Sequence, residues 1–483
     1  MLDILQQIRE LYYSWNPNDT ISDIEVLPAS GSERRYFRVQ GSQKSYIATY
    51  NTNIKENLTF LEFTKHFLQQ GLPVPEIYKT NAGYTLYLQE DLGSHTLLNV
   101  LETQGYTNEV FALYEKTLNE LARMQIVGGR NLDYDLCLTN KEFGKQAILN
   151  DLLYFKYYFL DTLGYAYDKQ ALLDDFEALA SYLTFTEGKH FLFRDFQSRN
   201  VMVQEGEVYF IDYQGGMRGA LQYDVASLLW QAKANLPEAW KEQLLQHYIA
   251  AANALLPQPI DPNIFTGQYY GYVLIRLLQV LGAYGFRGLF ERKAHFLSSI
   301  PLALKNLKWF SENQKIGIKL NEFEKVLQFV VSDAVIGNFE SVRATPDTPL
   351  VVKVCSFSFK KGQPTDDTDN GGGFVFDCRG ILNPGRFAEY KQLTGRDKPV
   401  KDFLEQQTRM PEFLNSVFDI VDISVEDYIK RNFDSLMVSF GCTGGQHRSV
   451  YAADALARHL RNKFGVKVEL SHKVQDAKNW INV

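Results

Sequence analysis

The strongest constraint on the fold is a change of pattern across residues 338 to 350. That stretch is polar and carries Pro346 and Pro349, the signature of a linker. Before it, aromatic and β-branched segments come first and long helical periodicities follow. After it, short apolar strands alternate with helices. The 483-residue chain therefore divides into a domain over 1–335, a linker over 336–350 and a domain over 351–483. Two to four domains is the expectation for this length, at about 100–200 residues each. The expected architecture is α+β for the first domain and a small α/β unit for the second.

Within the first domain, Tyr36-Phe37-Arg38-Val39 and Tyr46 to Tyr50 read as a hairpin around Gly41-Ser42. Leu58 to Gln70 has helical spacing and is ended by Gly71-Leu72-Pro73. Tyr84 to Leu88 reads as a further strand, residues 108–185 as mostly helical, and 191–193 and 208–211 as short strands around a polar loop. Helices follow to about residue 331. In the second domain, Val351 to Cys355, Phe374 to Phe376, Leu436 to Phe440 and Val466 to Leu470 read as strands. Helices are expected over about 400–430 and over Ser449 to Phe464.

Composition narrows the function classes. The formal net charge is −7, which argues against general nucleic-acid binding. Four cysteines (Cys137, Cys355, Cys378, Cys442), none spaced as C-x-x-C, make neither a disulfide framework nor a zinc site. No apolar run approaches the ~18 residues of a membrane span, and no signal peptide is visible at Met1-Leu2-Asp3-Ile4. A reducing, cytoplasmic setting without membrane contact is the expectation.

One loop carries chemistry. Phe193-Arg194-Asp195-Phe196-Gln197-Ser198-Arg199-Asn200 lies between two predicted strands, and Asp212 follows on the second. Phosphoryl transfer from ATP needs a carboxylate to orient or deprotonate the acceptor hydroxyl. It also needs oxygen ligands for Mg²⁺. Asp195 supplies the base, and Asn200 and Asp212 the metal ligands. Taken alone, D-x-x-x-x-N favours a capped turn; the preceding Arg, the strand context, the second Asp and the upstream hairpin at 31–50 together favour function. Upstream, Gly31-Ser32-Glu33-Arg34-Arg35 sits where a phosphate-covering loop belongs, with Ser32, Arg34 and Arg35 as candidate ATP contacts. Glu90-Asp91-Leu92-Gly93 follows a strand as an adenine-contacting hinge would, through Glu90 and Leu92. No Walker-type loop is present.

Residues from about 20 to 310 resemble the aminoglycoside phosphotransferase and choline kinase branch of the protein-kinase-like fold. Within it, "SGSERRYFRV", "GLPVPEIY", "EDLG", "RDFQSRN" and "YDVASLL" resemble the AmgK-like anomeric kinases of cell-wall amino sugars. The resemblance implies a bilobal domain with ATP and Mg²⁺ as cofactors. The acceptor it implies is N-acetylmuramate or N-acetylglucosamine. Two departures stand out. Phe193 replaces the usual His of the catalytic loop. The lysine expected on the third strand falls near Thr49, so Arg34 or Arg35 is left to meet the phosphates.

A second loop, Ser439-Phe440-Gly441-Cys442-Thr443-Gly444-Gly445-Gln446-His447-Arg448-Ser449, follows a strand and opens a helix. Successive amides at a helix start bind anions, and Arg448 and His447 add side-chain donors. The same glycines also suit a tight packing turn. Cys442 to Arg448 fits C-x5-R, the spacing of cysteine phosphatases, although no general-acid Asp can be assigned. "SFSFKKGQP", "FVFDCRGILNP", "LTGRDKPV" and "SFGCTGGQHRSV" resemble the C-terminal domain of RapZ-type RNase adapter proteins. The resemblance implies binding of glucosamine 6-phosphate, with Cys442, Thr443, Gly444, Gly445, Gln446, His447, Arg448 and Ser449 around the phosphate. Asp377, Arg379, Asn383 and Pro384 would line the pocket.

The leading expectation is a sugar kinase joined to a sugar-phosphate-binding domain. Two rivals remain: a catalytically silent kinase-like adapter with an RNA or protein partner, and a bifunctional kinase and phosphatase.

Overall fold

The computed structural model describes residues 2–27, 34–185, 188–291, 294–340, 342–366, 368 and 372–477. Ser32 of the expected phosphate loop lies outside them. The chain divides into two units: residues 1–286 with 299–336, and residues 287–298 with 337–483.

In the first unit, α1 (Leu2–Trp15) precedes a five-stranded sheet. Its strands are β1 (Asp23–Val26), β2 (Arg35–Gln40), β3 (Ser45–Tyr50), β4 (Ile77–Thr80) and β5 (Leu86–Glu90), in the order β1-β2-β3-β5-β4. The neighbours are antiparallel, and β2 and β3 form the expected hairpin with Gln40 opposite Ser45. Alternation sends Phe37 and Val39 of β2 inward, where they meet Ile8 and Tyr12 of α1. The helix α2 (Ile54–Gln69) follows β3 and is capped by the Asn53 side chain on the Glu56 amide.

The rest of the unit is helical around two small hairpins. The helices are α3 (Leu97–Gln104), α4 (Asn108–Ile126), α5 (Lys145–Tyr158) and α6 (Lys169–Thr184). Strand β6 (His190–Leu192) pairs with β9 (Met217–Gly219), and β7 (Val201–Gln204) with β8 (Glu207–Phe210). Then come α7 (Gln222–Leu229), α8 (Glu238–Asn253) and α9 (Pro262–Tyr284); α10 (Ala294–Leu297) belongs to the second unit, and α11 (Ile300–Asn313), α12 (Asn321–Val330) and α13 (Asp333–Phe339) follow, α13 crossing into the second unit after Ile336. By length and composition α9, with the turn through Phe290, is long and apolar enough to cross a membrane. It is a core helix here: Val273, Leu274, Ile275, Leu277, Leu278 and Leu281 are all buried.

In the second unit, β10 (Val351–Ser358), β11 (Gly373–Asp377), β12 (Ser435–Cys442) and β13 (Lys467–His472) form a parallel sheet in the order β11-β12-β10-β13. The helices are α14 (Lys398–Gln406), α15 (Met410–Lys430), α16 (Arg448–Phe464) and α17 (Lys473–Asp476). Val352, Val354, Val438 and Phe440 from the sheet share a core with Val417, Val421, Leu456 and Leu460 from the helices. Parallel strands with helical crossovers require this two-sided burial.

Several boundaries differ from expectation for local reasons. Phe193 leaves its strand because Arg194 is left-handed, with φ 81°, and Ile211 leaves its strand because Asp212 has φ 70°. The expected strand at 84–88 starts later, since Tyr84 has φ 52° and the Asn81 side chain accepts from the amides of Thr85 and Leu86. The helix expected over 400–430 is two helices, because Pro411 opens α15 at its first turn. Helix α13 runs to Phe339, into the expected linker.

Candidate functional site

The first site grows from the end of β6. Phe193 is fully buried against Phe196, Phe210 and Tyr213, edge to face. An apolar ring thus fills the position where a histidine was expected. The left-handed turn at Arg194 is held by Asp224 of α7. Its buried carboxyl accepts the amides of Phe193 at 2.7 Å and Arg194 at 3.0 Å, and Gln125 Nε2 at 2.9 Å. Burial pushes the Asp224 carboxyl up to about 7, although these three donors oppose it. The Arg194 guanidinium makes a two-pronged bond to Asp151 of α5, at 2.7 and 2.9 Å, and reaches the Tyr223 hydroxyl at 2.9 Å. Arg194 therefore braces the loop, and Asp195 is left with a half-exposed carboxylate.

Asn200 closes the loop. Its Nδ2 donates to the Asp195 carbonyl at 2.9 Å, and its own carbonyl receives the Ile211 amide at 3.1 Å. This fixes Asp195 and Asp212 on neighbouring turns and turns the Asn200 amide oxygen away from the loop carbonyl. Gln214 Nε2 donates to Asp212 Oδ1 at 2.8 Å. Burial pushes the Asp212 carboxyl above the usual carboxylate range and Asp195 adds to this, while Gln214 and Arg34 act against it. The tip of Asp212 stays exposed even though the group lies deep among protein atoms.

Arg34 is the candidate replacement for the strand lysine. Thr49 is fully buried, between Tyr36 and Tyr87 in register. Arg35 pairs with Tyr50, so Arg34 lies just beyond the end of β3, beside the start of α2. There Arg34 Nη2 meets Glu56 of α2 at 2.9 Å, and Nη1 stands 3.7 Å from Asp212. Arg34 is 4% exposed, whereas Arg35 is exposed. Burial works against the Arg34 charge, but Tyr87, Tyr36 and Glu56 outweigh it and hold the guanidinium above its ordinary range.

The hinge segment is ordered by Asp91. It accepts Arg38 Nε at 2.7 Å, Arg38 Nη2 at 3.2 Å, Ser45 Oγ at 2.7 Å and the Gly93 amide at 3.0 Å. Glu90 ends β5 and Leu92 is buried. No group of three His, Cys, Asp or Glu side chains that could hold a metal occurs among the described residues. One carboxylate and one amide oxygen, Asp212 and Asn200, fit a hard cation that takes its remaining ligands from phosphates and water.

Glu56, Asp151, Asp224 and Arg276 are site residues that sequence reasoning missed. Arg276 Nη1 lies 3.5 Å from Asp195 Oδ1. Its signal was available, because it is the sole charged side chain in the apolar stretch 262–284. The other three are ordinary helix residues until the tertiary structure pairs them.

In the second unit, the loop after β12 folds around Cys442. Its Sγ accepts the Gly445 amide at 3.2 Å and lies 3.2 Å from Ser449 Oγ. Thr443 is tied through its carbonyl to Ser358 Oγ at 2.8 Å. Gln446 Nε2 donates to the carbonyls of Lys391 and Leu393, and His447 Nε2 contacts the Tyr390 carbonyl. These two side chains are committed to the 390–395 segment and not to the loop mouth. Arg448 Nη1 donates to the carbonyls of Arg379 and Ile381 at 3.1 and 2.7 Å. Arg379 itself grips Asp377 and lies over the Phe359 ring.

Gly445 has φ 66°, and a Cβ there would stand 2.5 Å from Val474 Cγ2 and 3.1 Å from the backbone of Phe357 and Ser358. Gly445→Ala is expected to destabilise the second unit by about 1–3 kcal/mol, read as an earlier urea transition. Gly444→Ala, whose Cβ meets nothing within 4 Å, is the control with little effect.

Residues 23–258 match the family described as the phosphotransferase enzyme family, and residues 350–476 match the RapZ C-terminal domain. A nucleotide-binding protein of Fervidobacterium nodosum is 32% identical over 195 residues, covering 38% of this chain and 66% of the relative. One of Acidithiobacillus ferrooxidans is 41% identical over 124 residues, covering 26% and 40%. The chain thus spans between 40% and 66% of the length of these two curated relatives. Among solved structures, a thermostable aminoglycoside phosphotransferase aligns with TM-score 0.40 and 18% identity, covering 61% of this chain and 98% of that one. Choline kinase of Cryptosporidium parvum aligns with TM-score 0.44 and 12% identity, covering 68% and 99%. The chain joins a phosphotransferase-family domain to a RapZ C-terminal domain.

Proposed function

We propose that the first unit transfers the γ-phosphoryl group of ATP to a hydroxyl of a small molecule, an amino sugar of cell-wall recycling, in the cytoplasm. The observation that carries this reading is the Arg34 bridge between Glu56 and Asp212, which restores a buried cation where the strand lysine is missing. Asp195 holds the acceptor hydroxyl and takes its proton. Arg34 meets the phosphates of the nucleotide, and Glu90 and Leu92 border its base. Asn200 and Asp212 would hold Mg²⁺, which supplies charge neutralisation on the phosphates. Arg194, Asp151 and Asp224 hold the loop in its turn, so little reorganisation is needed at the moment of transfer.

An ADP-release assay over a panel of sugars, with and without Mg²⁺, tests the reading. Mg²⁺-dependent turnover with an amino sugar supports it. ATP binding without turnover on any hydroxyl acceptor favours the adapter alternative, with an RNA or protein partner.

For the second unit we propose binding of a phosphorylated amino sugar at the Cys442–Ser449 loop. Arg448→Ala is expected to weaken glucosamine 6-phosphate binding roughly 10–150-fold, the loss of one charge-assisted partner. Arg448→Lys recovers part of it, because an ammonium lacks the planar fork. Calorimetry on the full chain measures both.

A further inference from the structure

We propose that the second unit hydrolyses activated phosphomonoesters with Cys442 as nucleophile. This deepens the anion-site reading of the same loop and rests on it. Cys442 ends β12, Arg448 opens α16 six positions later, and Ser449 follows. The sulfur receives the Gly445 N–H and sits beside Ser449 Oγ, both at 3.2 Å.

The other three cysteines behave as buried thiols do. Burial pushes Cys137 up to about 11 and raises Cys355 and Cys378. Burial acts on Cys442 in the same direction, yet its thiol is lowered. The Ser449 hydroxyl, the Ser449 and Gly445 amides and the Arg448 charge outweigh it.

The second observation is Arg448. The residue is 4% exposed. Its Nη1 is held by two backbone carbonyls, while its buried Nε has no hydrogen-bond partner. Arg448 follows the loop directly, as the first residue of α16. A fixed cation with a spare donor, six positions after a sulfur that already receives an amide, is suited to hold a phosphate oxygen while sulfur meets phosphorus. Over Gly444 the loop is open, since a Cβ there would touch nothing within 4 Å.

In the first step a sulfur lone pair forms the S–P bond. The P–O ester bond breaks and its electron pair leaves on the ester oxygen. In the second step water attacks phosphorus, the S–P pair returns to sulfur, and the water proton passes to solvent. The sum is ester plus water giving alcohol plus inorganic phosphate. Asp377 lies beside Gly441 in register, but Arg379 holds its carboxyl below the ordinary range. An ionised carboxylate donates no proton, so the leaving group must depart as an anion. Aryl and acyl phosphates are therefore the substrate class, and alkyl phosphates are bound but turned over slowly.

The test uses the full chain with p-nitrophenyl phosphate in the presence of EDTA. The expected result is p-nitrophenolate release, with phosphate recovered on the Cys442 peptide after acid quench. Cys442→Ser is expected to lower the rate at least roughly 10³-fold while calorimetric phosphate binding persists. Iodoacetamide inactivation that inorganic phosphate slows gives a second readout in the unaltered protein. Inorganic phosphate binding with p-nitrophenyl phosphate left unhydrolysed, or hydrolysis indifferent to Cys442→Ser, overturns the nucleophile and leaves the anion site standing. Absence of both binding and hydrolysis removes both readings.

Discussion

Asp195→Asn is expected to lower the transfer rate by about 10²–10⁴-fold while ATP binds nearly as tightly as before, the usual contribution of a positioned general base. The amide keeps the shape of the carboxylate, so the loop bonds from Asn200 to the Asp195 carbonyl and from Asp224 to the Phe193 and Arg194 amides are untouched. What is lost is the acceptor of the hydroxyl proton. The loss therefore falls on kcat, and calorimetry with ATP should return a nearly unchanged Kd. A variant that keeps more than about a tenth of the rate places the base elsewhere.

Arg34→Ala is expected to act on stability and nucleotide affinity together. Arg34 is buried between Glu56 and Asp212. Removing one partner of a buried pair strands the other charge, at a cost approaching about 3 kcal/mol. Glu56 keeps its bond from Asn51 Nδ2 at 3.0 Å. ATP affinity should fall roughly 10–150-fold, as for one charge-assisted contact. Arg34→Lys should restore part of both, because an ammonium reaches one carboxylate at a time. Thermal unfolding and calorimetry measure the two effects separately. A silent Arg34→Ala would mean that no cation serves the phosphates from this position.

Asp195, Asn200 and Asp212 lie near one another in the chain, so spacing together with the strand context could single them out. Their supports could not. Glu56, Asp151 and Asp224 lie on three different helices, and only tertiary packing brings them to Arg34, Arg194 and the loop amides. The choice between Arg34 and Arg35 was open in the sequence, since neighbouring residues at a strand start point to opposite sides. In the structure Arg34 is buried and Arg35 is exposed. The strands β1 and β4 were missed because four residues at a sheet edge carry too little alternation to register as a period. In the second unit the strands were legible because parallel strands are buried on both faces and read as continuous apolar runs. The commitment of Gln446 and His447 to the 390–395 carbonyls was not legible, because it depends on a segment some fifty residues distant.

The phosphoryl transfer proposed for the first unit proceeds although Thr49 stands where a lysine is expected. A single-turnover experiment tests it most directly: the full chain, γ-labelled ATP, Mg²⁺ and N-acetylglucosamine or N-acetylmuramate, quenched over time and compared with Asp195→Asn. Label is expected to move from ATP to the sugar in the unaltered protein, with almost none moving in the variant. ATP bound equally by both proteins, with label reaching no hydroxyl acceptor in either, would contradict it.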